Sequence, residues 1–278
     1  MNRQRKLFCE LSPLTYRLSR FRCIMMRNLK DMARKSRFAY QRSSDRLPIV
    51  VYRHNSLIRR KLGNTRLDLQ ENKAVNLSIA APKVTGILIR PGDTFSFWRL
   101  VGADNARNGY KTGLTIAGGK PSEGIGGGLC QFTNLIHWMV LHSELTIVEH
   151  HHHDGVDLFP DYKRTIPFGT GTSIVYNYLD YRFTNHTNRT YQLIVWTDGT
   201  HLRGELRADS HQPHSYHIRS VDERFVEEDG AVYRKGRVVR EIIDKTTGLR
   251  ISNDVIRVNH ARVMYDTSGL DVVSNPTD

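Results

Sequence analysis

Apolar positions in residues 14–35 recur every three or four residues: Leu14, Leu18, Phe21, Met25, Leu29 and Met32. Arg17, Arg20, Arg27, Lys30 and Arg34 fill the other faces. This period predicts an amphipathic helix, with Ser12 and Pro13 suited to its N-cap and first turn. The run LPIVVY at 47–52 predicts a short buried strand. A second helix is expected over 69–83, with Pro82 limiting its end. GILIRPGDTFSFW alternates and turns at Pro91-Gly92, predicting two short strands. Residues 98–123 are glycine-rich (Gly102, Gly109, Gly113, Gly118, Gly119) and read as loop. A largely buried helix over 129–142 follows, marked by Phe132, Leu135, Ile136, Met139 and Val140. Residues 145–153, 172–177, 181–184 and 191–197 suit strands, and Asp198-Gly199 signals a hairpin into 202–207. From 216 to 265 further strands are punctuated by Glu228-Asp229-Gly230 and Thr246-Thr247-Gly248.

The predicted fold class is α+β: a mixed or antiparallel sheet core with a helix carrying Cys130 at its N-terminus, a basic N-terminal helix and a C-terminal β-meander. The expected regions are 1–66, a basic arm; 67–208, a core domain; and 209–278, the meander, with DSHQPHS at 209–215 as the joint.

Charge changes the picture of the first region. The chain carries a net +13, and residues 1–66 hold 18 Lys/Arg against 3 Asp/Glu, so the rest is close to neutral. A basic arm on a neutral body points to an anionic partner such as lipid, wall polymer or nucleic acid. No nucleic-acid motif accompanies the charge, so no specific nucleic-acid partner is expected. Two readings compete for the apolar stripe: packing on the protein's own core, which is favoured, and lying on an anionic membrane. No apolar run reaches the ~18 residues that span a bilayer. The N-terminus lacks the apolar core of a signal peptide. A cytoplasmic location follows, with a peripheral seat at the inner membrane face in view. The three cysteines form no CxxC pair, which excludes a disulfide framework or zinc ribbon. Cys9 and Cys23 are expected to pack among apolar neighbours.

Candidate chemistry centres on GIGGGLCQ, residues 124–131. Gly126, Gly127 and Gly128 permit positive φ and close backbone approach, and their N–H groups suit an anion-binding nest. A cysteine in the first turn of a helix gains thiolate character from the dipole. Gln131 beside it offers an oxyanion donor. Four consecutive histidines follow, His150 to His153. If they lie on a strand, His151 and His153 share one face and His150 and His152 the other. Glu149, Asp154 or Asp180 would orient an imidazole. His137 and His142 are expected as buried, hydrogen-bonded side chains, and Phe95, Phe97 and Trp98 as core aromatics.

These segments resemble the VanW-like family, named after an accessory protein found with vancomycin-resistance genes. The resemblance is carried by RKLFCELSPLTYRLS, LPIVVY, LQENKAVNLSIAAPKV, RPGDTFSFWRLVG, GYKTGL, GIGGGLCQFTNLIHWMVLHS, PFGTGTSIVYNYLDYRFTNHT and the C-terminal meander. It places an H-x-H pair on His151 and His153 and a frequent acidic residue on Asp180. The run of four histidines departs from a single H-x-H. The resemblance implies association with the cell envelope and with glycopeptide resistance.

Three functions fit. The first is acyl transfer on a peptidoglycan-related substrate, with Cys130 as nucleophile, His151 or His153 as base and Asp180 or Asp154 orienting it; the order of these groups is similar to that of papain-like and NlpC-type peptidases. The second is a non-catalytic module in which the glycine nest and Cys130 hold an anionic or cell-wall-derived small molecule or peptide. The third is a zinc site of Cys130, His151 and His153, for which the sequence gives no fourth ligand. No cofactor is called for.

Overall fold

The computed structural model describes residues 7–33, 36–60, 66–117, 119–152, 155–161 and 166–274. In chain order its helices are α1 (Pro13–Ala33), α2 (Leu67–Val84), α3 (Phe97–Val101) and α4 (Cys130–Leu141). The strands of the first half are β1 (Ile49–Leu57), β2 (Ile87–Ile89), β3 (Thr94–Ser96), β4 (Thr112–Ala117), β5 (Lys120–Ile125), β6 (Thr146–Glu149) and β7 (Val156–Asp157). Those of the second half are β8 (Arg182–Thr184), β9 (Tyr191–Thr197), β10 (His201–Ala208), β11 (His214–Glu228), β12 (Ala231–Asp244), β13 (Arg250–Val263) and β14 (Val272–Ser274). The fold is α+β, as the pattern of apolar positions predicts.

An antiparallel sheet β1-β10-β9-β2 forms the centre. Strand β1, from the stretch read as part of the basic arm, therefore lies along β10 in the core sheet. Helix α4 crosses this sheet at Gly204, where a Cβ would lie 2.7 Å from Leu135 Cδ2 and Met139 Cε. Fully buried Leu77, Ala80 and Val84 of α2 and Phe132, Leu135 and Ile136 of α4 share one core with Leu193, Leu202 and Leu206. A second small sheet, β3-β8-β6, stacks Phe95 on Phe183 at 4.7 Å between ring centroids. Strands β11, β12 and β13 form the long C-terminal meander. Its first turn uses positive φ at Asp229 and Gly230, the conformation a tight hairpin demands.

Several elements differ from the sequence expectation. The glycine-rich stretch read as loop contains α3 and the hairpin β4–β5. The strand expected over 145–153 ends at Glu149, so His150, His151 and His152 follow it and strand alternation does not sort them. Residues 172–177 form no strand beyond an isolated bridge between Val175 and Leu179. Pro82 sits inside the last turn of α2 rather than ending it.

The largest difference is in α1. Its apolar stripe was expected against the core, yet Leu14, Phe21 and Met32 are 66–68% exposed, and Leu18, Met25 and Leu29 are exposed as well. The helix turns its polar side to the body. Asp31, 8% exposed, receives two hydrogen bonds from Arg182 (2.7 and 3.0 Å) and one from Arg99 (2.9 Å). Arg27 grips both oxygens of Glu149 (2.6 and 2.7 Å) and donates to the Tyr178 carbonyl. Burial pushes the Asp31 carboxyl up, but the Arg182 and Arg99 hydrogen bonds outweigh it and hold the group below the usual carboxylate range. A buried charge left without its partner costs about 3–5 kcal/mol. Asp31→Ala is therefore expected to lower stability by about that amount, read from the urea midpoint, and to open α1 to trypsin. Leu18→Ser on the exposed side should change stability by no more than about 0.5 kcal/mol.

Candidate functional site

The glycine run is a crossing point of backbone. Gly126 and Gly128 have φ of 78° and 93°, values that favour glycine. A Cβ on Gly126 would lie 2.5 Å from Asp104 Oδ2, one on Gly127 2.2 Å from the Gly113 carbonyl carbon, and one on Gly128 2.2 Å from Lys73 Cγ. Buried Asn76 of α2 locks the crossing. Its amide donates to the Lys111 and Gly127 carbonyls (3.0 and 2.9 Å), and its oxygen accepts from Lys111 N (2.8 Å). The Gly127, Leu129 and Gln131 N–H groups donate to the carbonyls of Gly124, Gly126 and Gly128. Of the N–H groups expected to form a nest, that of Gly126 donates to the Lys111 carbonyl and that of Gly127 to the Gly124 carbonyl. Gln131 likewise directs its amide to Ser56 and the Leu57 carbonyl at 2.8 Å, tying α4 to β1 instead of facing an oxyanion.

Cys130 opens α4, half-buried. Burial pushes its thiol up; the Ile174 N–H and its own N–H pull the other way, and the nearby Asp104 carboxyl adds to the rise. The dipole argument for a depressed thiol thus gives way to desolvation. Three groups not singled out in the sequence meet here. Asp104 is pushed up to about 6 by burial, moderated by a backbone hydrogen bond and by Arg20 of α1. Burial, followed by Asp104, pushes Tyr110 up to about 12, and its hydroxyl is buried without a hydrogen-bond partner among the described residues. Burial and the neighbouring Arg60 and Arg59 bring Lys73 down to about 8. The local signal for all three was absent: each is an isolated polar residue in a glycine- or helix-rich context.

Of the expected histidine partners, His151 is described; its carbonyl accepts from Ser173 N at 2.7 Å, one residue before Ile174, whose N–H meets the Cys130 thiol. His151 Nε2 meets Glu149 Oε1 at 2.9 Å, the carboxylate gripped by Arg27. His153 and Asp154 lie outside the described residues. Asp180, fully buried, accepts from Ser96 Oγ (2.5 Å), Trp98 N (3.1 Å), Tyr181 N (2.9 Å) and Arg182 Nε (2.7 Å). The Ser96 and Trp98 bonds fasten the start of β8 to the β3–α3 junction, and none of the four goes to a histidine. The zinc reading depends on His153; among the described residues no three His, Cys, Asp or Glu side chains are grouped to hold a metal ion.

Histidines do gather at the far half of α4. His137 lies seven residues beyond Cys130, about 10 Å along the axis. Its Nδ1 meets Tyr181 Oη at 3.1 Å, and its ring centroid is 4.1 Å from that of His150, which lies 4.0 Å from His152. Burial, with His150 and His152 adding, holds His137 far below its usual value, so it is neutral at pH 7. His142 is a packing residue: Nδ1 meets the Trp138 carbonyl at 2.7 Å and the ring stacks on Tyr52. A cavity of about 640 Å³ opens here, lined by His137, Glu144, His150, His152, Thr170, His186, Tyr216 and Arg240. Arg240 reaches it from β12. It donates to the Leu141 and Ser143 carbonyls and stacks on Tyr216 with 4.3 Å to the ring centroid. Among the described residues no carboxylate lies within ion-pair distance of it; burial lowers its pKa, with Tyr216 and its cross-strand neighbour Asp254 pulling the other way.

The family model described as VanW like protein matches residues 72–207. The chain is 37% identical over 204 residues to the vancomycin B-type resistance protein VanW of Enterococcus faecalis, covering 73% of this chain and 74% of that protein. It is 30% identical over 122 residues to the uncharacterized protein YoaR of Bacillus subtilis, covering 43% and 37% respectively. No solved structure matches. An α+β core with its glycine–cysteine turn at the head of a buried helix is the setting of this similarity, and the chain belongs to the VanW-like family. The matched span holds Cys130, Asp104, Asp180 and the histidines, while Tyr216 and Arg240 of the cavity wall lie beyond it.

Asp104 yields a pH test. Its folded pKa, about 6, stands above the ordinary 3.8. Ionising it therefore opposes folding: the cost is absent below about pH 4 and complete above about pH 6. Asp104→Asn is expected to be more stable than the native chain by about 3 kcal/mol at neutral pH and equal to it in acid, measured by urea unfolding across that window.

Proposed function

We propose that this protein contributes to glycopeptide resistance at the cell envelope by binding an anionic, wall-derived small molecule or peptide in the histidine-lined cavity. The observation that carries this reading is Arg240: a half-buried guanidinium on the wall of a large cavity, with no carboxylate within ion-pair distance among the described residues. A cation in such a place attracts a carboxylate or phosphate group, and the imidazoles beside it supply directional hydrogen-bonding groups. The size suits a compact ligand. The resistance role rests on the likeness to the Enterococcus protein.

Cysteine-dependent acyl transfer is the second reading, favoured by one observation: Cys130 is half-buried in the first turn of α4. Against it stand the raised thiol, the internally bonded glycine turn and the engagement of Asp180 and Gln131 elsewhere. Two variants separate the readings. With a soluble muropeptide as probe, calorimetry should show Arg240→Gln weakening binding about tenfold or more, the equivalent of ~1.4 kcal/mol. Cys130→Ala should leave affinity and vancomycin resistance unchanged. Loss of resistance in Cys130→Ala with native behaviour of Arg240→Gln would reverse the assignment in favour of the cysteine.

A further inference from the structure

Helix α1 is amphipathic in the opposite sense to a helix that packs on its own protein. At 100° per residue, Leu14, Leu18, Phe21, Met25, Leu29 and Met32 share one narrow stripe. All six are exposed. The opposite stripe, Ser19, Cys23, Arg27 and Asp31, faces the body, and its contacts are ionic. Exposed Arg17 and Arg22 lie to either side of the apolar stripe, and only one acidic residue occurs within the helix, the internally paired Asp31. A run of large side chains facing water is unfavourable, and contiguous exposed apolar surface of this kind marks a docking face.

We propose that the exposed stripe of α1 lies in the headgroup region of an anionic lipid bilayer. Charge complementarity selects this occupant. An apolar face flanked by arginines is the composition of a helix lying in the plane of such a surface, and each basic residue near anionic lipid adds attraction. No helix among the described residues is long and apolar enough to cross a membrane, so the contact is peripheral. The ionic clamp explains why the helix stays on the body with this stripe outward: Asp31 and Arg27 hold it through ion pairs on its covered face. Docking in this way brings the Glu149–His151 side of the core towards the membrane.

The test is flotation of the full chain with phosphatidylcholine vesicles, with and without phosphatidylglycerol. Binding to the anionic vesicles is expected at low salt. It should fall about tenfold or more when salt rises from about 0.05 M to about 0.5 M, where the Debye length shrinks to a few Å. Phe21→Glu/Met25→Glu alters exposed residues alone and should abolish binding with an unchanged circular dichroism melt. Arg17→Gln/Arg22→Gln should weaken it several-fold. Equal binding to neutral vesicles, or none at low salt, would overturn the proposal. So would a dimer in sedimentation equilibrium that Phe21→Glu/Met25→Glu dissociates, because the stripe would then cover a second copy of the chain.

Discussion

Asp31 and Arg182 are the buried ion pair on which the arrangement of this protein depends. The guanidinium sits between Asp31 and Asp180, each within 2.7 Å of one of its nitrogens. Phe38 packs against Arg182 and Arg99, 5.2 and 4.1 Å from its ring centroid. Removing such charges from water is expensive and is offset only when every partner is in place. Here the partners come from α1, from the turn leading into α3 and from β8, segments far apart in sequence. The cluster thus fixes where α1 lies and which of its faces is covered. It also explains Asp180 as a fastening group of the fold.

Much of the fold was legible because local signals and tertiary structure agree. The apolar period of 132–140 gives α4, Asp198-Gly199 gives the β9–β10 hairpin, and Asp229-Gly230 and Gly248 divide the long strands of the meander. The hairpin β4–β5 was not legible. Its strands carry Gly113 and Gly124, which alone read as loop, and the reason for Gly113 is Gly127, fourteen residues away in sequence and in backbone contact. The orientation of α1 was hidden for a similar reason. Periodicity locates a stripe but does not say which side the protein covers, and a single aspartate with two distant arginines decides that.

The candidate site divides in the same way. GIGGGLCQ is conspicuous in sequence, and its physical role in the structure is close packing of backbone against α2, Asp104 and the β4 strand. The cavity is assembled from distant segments: its lining comes from α4, the stretch after β6 and the C-terminal sheet, so spacing arguments do not reveal it. Two of the four consecutive histidines, His150 and His152, line it, while His151 turns to Glu149. Alternation on a strand does not sort these histidines, because the strand ends at Glu149.

The central claim is that the glycine–cysteine turn is a structural junction whose thiol is desolvated, with ligand recognition at the other half of α4. The pH dependence of Cys130 alkylation, followed by mass spectrometry on the native protein, tests it most directly. The account predicts a rate that keeps rising above about pH 8.5, the ordinary thiol range, and that stays below the rates of Cys9 and Cys23. A rate for Cys130 that is already at its plateau below about pH 7, as for an activated nucleophile, would contradict it.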